Sequence, residues 1–392
     1  MRNLYIFTRS FPFSDDEPFL DNQLSVLANF YQSIIIIPLM FSKENNKVLP
    51  ANCFAYDPII KTKSQLYWGG IFSIKSFPMY FWDITKNFIF FNFSKIKLAL
   101  ISFFFTNNII HSKQLKKIIS DSNEMDVFFF YWGKGFANLL PFISSIKTKK
   151  VVQFHGDDLY HYRHEGYIPI QEFIIKNADI VTCISNDGKR YLGKYYPKFD
   201  SKIIVNYLGT RDFGESKKSN DGIFRILSCS SVIPLKRVHL IFEAIQTIYF
   251  LNIEWTHIGD GVEFDELKKK VKLNKSDNKI ILLGNLTNPE VISYYKNEMV
   301  DLFINVSEFE GLPVSIMEAI SFNVPVIATN VGGSSEIVNP LTGILIGPNP
   351  TIVELAEAIV KAKNINLSPR KFWELNFNAE RNCVKLFDSA LS

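Results

Sequence analysis

Glu310 and Glu318 stand at the two ends of E-G-L-P-V-S-I-M-E, and the residues between them suit the start of a helix. Pro313 fits the first helical position, because the N–H it lacks would have no partner there. Val314, Ser315 and Ile316 follow, and at a helix start their backbone N–H groups are left unpaired at the positive end of the dipole. Such an end favours a phosphate. Helical side chains tilt back toward the N-terminus, so Glu318, about one turn in, leans over the anion. A carboxylate there can accept both hydroxyls of a ribose attached to the phosphates. Glu310 precedes the helix, on the side where a sugar carried by the diphosphate would project. The arrangement suits a metal-free grip on a sugar nucleotide, with Gly311 and Leu312 in the intervening loop.

The flanking elements must hold these groups in place. Residues 301–307 read as a short buried strand, with Leu302, Phe303, Ile304 and Val306. The helix is expected to end by Phe322. Asn323 then occupies the position that commonly takes a left-handed backbone, where Asn is second choice to Gly. Residues 324–329 form the next strand. Gly332 and Gly333 let backbone approach a ligand closely, and a second helix starts at Ser334 or Ser335. The same strand–loop–helix occurs with surface glutamates in any α/β domain, so the pair alone does not decide the matter.

Apolar, β-rich runs recur along the whole chain. One series covers residues 4–8, 34–39, 127–132, 151–154, 180–184 and 203–207; a second covers 225–231, 253–258, 280–283, 302–306, 324–329 and 343–346. Continuous apolar strands separated by helices imply parallel sheets covered on both faces. Two series imply two doubly wound domains, with a polar break at residues 211–222. Ligands in such sheets sit beyond the C-terminal strand ends. The residues expected there are Arg9, Phe11 and Glu17 after the first strand, Trp132 after a later one, and His155 and Asp157 after 151–154. These loops are expected to line a cleft between the domains. His155 also admits a bland role as a core or loop histidine, and Glu17 as a surface residue near a helix start. His155, Asp157, Asp158, His161 and His164 lack any recognised metal-ligand spacing, and no metal is expected.

The 392 residues suit two domains. Four scattered cysteines, Cys53, Cys183, Cys229 and Cys383, have neither zinc nor redox spacing and point to a reduced cytoplasmic setting. The N-terminal apolar run is too short for a signal peptide and reads as a strand. No uncharged apolar run reaches the roughly 20 residues needed to span a bilayer. The net charge is +4, but residues 61–150 hold 13 Lys against Asp83, Asp121, Glu124 and Asp126. The same region carries Trp68, Phe72, Phe77, Phe81, Trp82, Phe88, Phe90, Phe91 and Phe93. A basic aromatic surface is what an anionic bilayer attracts; the plain alternative is core aromatics and solvated lysines. No nucleic-acid motif accompanies the charge.

In these residues the chain resembles the retaining glycosyltransferases of family 4, of the capsule and exopolysaccharide type. The family pattern E-x7-E is Glu310 to Glu318. The resemblance extends to residues 225–237 with Lys236 and Arg237, to 257–261, to 281–285 with Gly284 and Asn285, to His155-Gly156-Asp157, and to the closing stretch 373–387. It implies the GT-B fold: α/β, with two doubly wound Rossmann-like domains facing a cleft and a C-terminal helix crossing back. The expected parts are an acceptor-binding domain at 1–212, a donor-binding domain at 213–370 and a final helix at 371–392.

The resemblance also implies roles. Glu310, His155 and Lys236 are the expected catalytic set. Lys236, Arg237 and the N–H groups of Val314, Ser315 and Ile316 would neutralise the departing diphosphate. Glu318 would hold the ribose, and the loop of Gly284 and Asn285 would meet the base. Phe11, Glu17, Asp157 and Trp132 fall on the acceptor side. No cofactor is expected beyond the nucleotide-sugar donor. Transfer would proceed with retention to a hydroxyl of a lipid-linked or growing surface glycan, at the cytoplasmic face of the membrane. The chain departs from the family at Ser231, where an Arg is usual, which makes Arg237 the candidate for the second charge. The rival reading is a non-catalytic sugar-nucleotide-binding scaffold of the same fold.

Overall fold

The computed structural model of the chain describes residues 2–14, 17–40, 47–62, 75–274 and 276–391. Trp68 and Phe72 of the basic aromatic region, and Asp15 and Asp16 of the first loop, lie outside them. The contacts divide the chain into two units, Met1–Tyr207 with Cys383–Ser392, and Leu208–Asn382.

The first unit is built on a parallel sheet of β1 (Asn3–Thr8), β2 (Ser33–Pro38), β3 (Cys53–Ala55), β4 (Val127–Phe130), β5 (Lys149–Phe154), β6 (Ile180–Cys183) and β7 (Ile203–Val205). Among the described residues its order is β3-β2-β1-β4-β5-β6-β7. Side chains alternate between faces along a strand, and here both faces are apolar. Tyr5, Phe7, Phe128 and Phe130 enter one buried cluster, and Leu4, Ile6, Val127 and Phe129 enter another. Register puts Phe7 beside Phe130, their rings stacked at 4.5 Å. The edge strand β3 has no counterpart in the expected series. It is three residues long, and Phe54 and Ala55 are exposed, so no apolar run marks it. Short edge strands of this kind resist pairing with other chains. The run 127–132 leaves the sheet after Phe130, and Tyr131 and Trp132 pass into a loop.

The second unit carries β8 (Phe224–Cys229), β9 (Ile253–Ile258), β10 (Lys279–Gly284), β11 (Leu302–Asn305), β12 (Val326–Thr329) and β13 (Gly343–Ile346). Its parallel order is β10-β9-β8-β11-β12-β13. The run 324–329 shortens to β12 because Val324 and Pro325 form the approach from the preceding helix. Ile226, Trp255, Ile304 and Ile327 anchor this unit's core. The segment 211–222 is tied into the same unit. Arg370 binds the Asp212 carboxylate at 2.6 Å and the Gly214 carbonyl at 2.9 Å, and Ser216 N–H donates to Phe322 O at 3.0 Å.

Residues 371–392, expected as one helix, are divided between two, Pro369–Asn376 and Ala379–Leu391. The break arises where Thr210 crosses: Thr210 N–H donates to Phe377 O and Ala379 N–H to Thr210 O. Trp373, wholly buried in the second unit, donates its indole N–H to Thr210 Oγ1 at 2.8 Å. Beyond the break, Cys383, Leu386 and Phe387 belong to the first unit's core, with Phe387 edge-on to Phe129 at 5.4 Å. Among the described residues no helix is long and apolar enough to cross a membrane.

Candidate active site

In the second sheet the strand order turns at β8 and β11, and loops leaving such neighbours diverge to leave a crevice. Lys236 closes a short 3₁₀ turn, Pro234–Lys236, in the loop after β8. Glu310 lies in the loop after β11. Lys236 Nζ approaches Glu310 Oε1 to 2.6 Å. The same oxygen accepts from Ser307 Oγ at 2.6 Å and Asn305 Nδ2 at 3.1 Å. Neither Asn305 nor Ser307 carried a signal in the sequence, since both read only as the end of a strand.

The loop keeps its course because glycine backs it. Gly332 has φ +50°, and a Cβ there would lie 1.7 Å from Glu310 O. Gly333 N–H donates to Gly311 O at 2.8 Å. The two glycines therefore admit the Glu310–Gly311 backbone rather than a ligand, a reason the sequence alone did not supply.

The helix Val314–Ser321 follows, with Pro313 before its first turn. Among the described residues, the N–H groups of Val314, Ser315 and Ile316 have no acceptor. Ile316, Met317, Ala319 and Ile320 bury the helix against the sheet, which leaves its N-terminus fixed in direction. Asn323 takes the left-handed conformation (φ +64°) that ends it. Glu318 is buried and accepts from Asn288 Nδ2 at 2.8 Å. Burial pushes its carboxyl up to about 7, and the Asn288 bond only partly opposes this. Asn288 opens the helix Asn288–Asn297, three residues beyond Asn285. Gly284, the last residue of β10, holds the preceding turn by accepting from Gly259 N–H at 2.7 Å. The loop after β10 thus reaches Glu318 through Asn288, a residue the sequence reading passed over. Leu312 is buried and Gly311 exposed.

Arg237 is differently employed. It sits at φ +49° just before the helix Val238–Gln246. Its guanidinium donates to Val306 O at 2.8 Å, Ser307 O at 2.9 Å, Pro348 O at 2.8 Å and Asn349 Oδ1 at 3.0 Å. It ties the loop after β11 to the one after β13. Ser231 is exposed in the loop after β8.

The first unit gathers its own set. Glu17 is buried and accepts from Arg9 N–H (2.9 Å), Ser10 N–H (2.9 Å), Phe11 N–H (2.8 Å) and Trp132 Nε1–H (2.7 Å). It is the organiser of two loops, not a surface residue. The Phe11 ring is buried in the core. Trp132 lies 4.5 Å from the His155 ring, centroid to centroid. His155 donates Nε2–H to Tyr131 O at 2.9 Å, and burial holds its imidazole at about 4, so the ring is neutral at neutral pH. Asp158 caps the turn beside it, accepting from His155 N–H at 2.6 Å and Gly133 N–H at 2.5 Å. Burial raises the Asp158 carboxyl to about 7 despite these bonds. Asp157 is exposed and pairs with Lys134. His161 packs on tyrosines and His164 contacts Asp157 O, so the histidines of this stretch have separate partners.

Residues 210–375 match the family described as glycosyl transferases group 1. Protein CapJ of Staphylococcus aureus is 29% identical over 177 residues, 43% of this chain and 43% of its own. The O-antigen biosynthesis glycosyltransferase WclY of Escherichia coli is 23% identical over 201 residues, 49% of this chain and 55% of its own. The matches thus span about half the length of these curated relatives. Among solved structures, HepE of Anabaena in complex with UDP superposes with a TM-score of 0.64 at 15% identity, over 99% of each chain. That likeness shows the fold, GT-B.

Proposed function

We propose that the chain, whose residues 210–375 match the glycosyl transferases group 1 family, moves a sugar from a nucleotide-diphosphate donor to a hydroxyl of a lipid-linked or growing surface glycan. The observation that carries this reading is the Lys236–Glu310 pair at the turning point of the second sheet, in the loop that leads to the open start of the helix Val314–Ser321. Relatives in polysaccharide biosynthesis support the acceptor class, and the UDP held by HepE supports a nucleoside diphosphate as leaving group.

In this proposal the diphosphate lies against the N–H groups of Val314, Ser315 and Ile316, with Lys236 beside it. As the bond from the sugar's anomeric carbon to the phosphate oxygen breaks, negative charge grows on the diphosphate. Preorganised donors of this kind supply a large share of catalysis. Glu310 uses Oε1 for its three protein partners and has Oε2 left, among the described residues, to accept a sugar hydroxyl. Glu318 likewise gives Oε1 to Asn288 and has Oε2 left for the ribose. The loop of Gly284 and Asn285 meets the base. The new bond forms between the anomeric carbon and the acceptor oxygen, whose proton passes to the leaving diphosphate. We assign retention of configuration, and no metal, to this route. Arg237, committed to carbonyls, acts by holding the loop.

The first unit receives the acceptor in the same proposal, at the strand ends framed by Trp132, Glu17 and His155. We further propose that its basic aromatic region meets the cytoplasmic face of a membrane. Phe88, Phe91 and Phe93 are 87%, 102% and 82% exposed at the tip between the helices Phe77–Lys86 and Phe93–His111. Incubating the protein with a panel of nucleotide sugars and a lipid-extracted acceptor fraction, and reading products by mass spectrometry, tests the reading. Nucleotide binding without turnover of any donor in wild type would favour the scaffold alternative.

A further inference from the structure

The first sheet also turns, between β1 and β4, and beside this point lies a cavity of about 410 Å³. That is within the roughly 300–1,000 Å³ of small-molecule sites. Its walls are Leu39, Met40, Leu98, Ile101, Phe105 and Phe136. The polar groups in the wall are already spent. Ser102 Oγ accepts from Asn138 Nδ2 at 3.1 Å and meets Tyr80 OH at 2.6 Å, and Tyr167 OH donates to the buried Asp83. A free sugar would find its hydroxyls unanswered there, at a cost of roughly 1–3 kcal/mol for each group left unpaired.

The mouth has the opposite character. Arg9, Lys134, His164 and Asp157 line it and are exposed or half-exposed. Burial works against ionisation of Asp157, but Lys134, His164 and Arg163 outweigh it and hold the carboxyl below the usual range. One carboxylate thus stands among several cations, and Arg9 has no acidic partner among the described residues. Apolar walls with a cationic mouth match an amphiphile with an anionic head. The helix Phe93–His111 links this mouth to the outside. Ile101 both lines the cavity and is 38% exposed, its neighbour Leu100 is 46% exposed, and the helix begins at the exposed Phe93.

We infer that this cavity binds the chain nearest the phosphate of a phospholipid-type acceptor, an isoprenoid or similar apolar chain, with Arg9, Lys134 and His164 receiving the phosphate. The inference rests on the proposed glycosyl transfer for the word acceptor; the binding site itself is independent of the donor.

Farnesyl phosphate is the probe, titrated calorimetrically into the full-length protein below its micelle concentration, with farnesol and inorganic phosphate as separate arms. Saturable one-to-one binding is expected, at least tenfold tighter than farnesol, with phosphate alone showing no measurable binding. Lys134→Glu should weaken farnesyl phosphate by tenfold or more and leave farnesol within twofold. Ile101→Glu should weaken both. Both positions are partly exposed, and thermal melts of the variants verify that they fold. Equal affinity for farnesol and farnesyl phosphate, binding by phosphate alone, or wild-type affinity in Ile101→Glu would overturn the inference. UDP titration in parallel separates the two ideas. Nucleotide binding with no farnesyl phosphate binding removes the cavity assignment only; the reverse result, repeated with the diphosphates of the other bases, leaves the cavity assignment standing and removes the donor reading.

Discussion

Lys236 Nζ and Glu310 Oε1 lie 2.6 Å apart although the residues are 74 positions apart in the chain. The contact exists because β8 and β11 are neighbours in the sheet. Each charge neutralises the other, and in the proposed reaction the pair would keep Lys236 ordered where a diphosphate could share it.

Lys236→Ala should lower kcat by roughly 10²–10³-fold, the scale of a lost anion-stabilising donor. Glu310→Gln should lower it too, while keeping the bonds from Asn305 and Ser307. Because the residues touch, the two losses should not add, and a double-mutant cycle on donor turnover reads the coupling. Full additivity would mean that the pair does not act as one device.

Glu318 should make both stability and nucleotide affinity depend on pH. Its folded carboxyl titrates near 7, above the ordinary value of 4.5. Folding therefore favours the protonated form, so its stabilising share is complete below about 4.5 and is lost as pH rises through 7. The size is on the order of a few kcal/mol. Glu318→Gln should flatten the denaturation midpoint across that window. Nucleotide binding should run the other way, tightening as the carboxylate forms above pH 7, and the variant should lose that gain in isothermal titration.

His155 supplies the opposite slope. Burial lowers its imidazole to about 4 from 6.5, so its stabilising share is complete above 6.5 and disappears as pH falls through 4. In His155→Gln the acid-side loss of thermal stability should be smaller than in wild type. An unchanged acid limb in a pH series of melts would show that another group governs it.

Glu17→Ala should destabilise the first unit, since three backbone N–H groups and the Trp132 indole lose one acceptor. Bonds to a charged partner contribute roughly 1.5–3 kcal/mol each, and a total of at least about 3 kcal/mol is expected because water can re-satisfy some of the donors. Urea unfolding followed by Trp fluorescence measures it. Glu17→Gln, which keeps an acceptor oxygen, should recover part of the loss.

Replacing Phe88, Phe91 and Phe93 by Ser should leave the melting temperature nearly unchanged, because their rings make little contact with the fold. It should abolish sedimentation with vesicles rich in anionic lipid. Wild-type binding should weaken with salt as the lysines are screened.

Much of this was legible from local chemistry. The two series of apolar runs foretold two parallel sheets, and Pro313 and Asn323 marked the ends of the helix that carries Glu318. Edge strand β3 was missed because two of its three residues face solvent, and an apolar pattern is the only trace a strand leaves. The break at Phe377–Asn378 was missed because its cause, Thr210, is far away in the chain.

The sequence by itself determined periodicity, caps and turns, since those follow from the stereochemistry of a few adjacent residues. Only the tertiary structure decided who meets whom. It set Asn288 against Glu318, turned the Arg237 guanidinium onto four oxygen acceptors, and buried Glu17 under three amides and an indole. Such pairings depend on which strand ends become neighbours and which polar groups lose water. Those are properties of the assembled sheets, which no local stretch of the chain encodes.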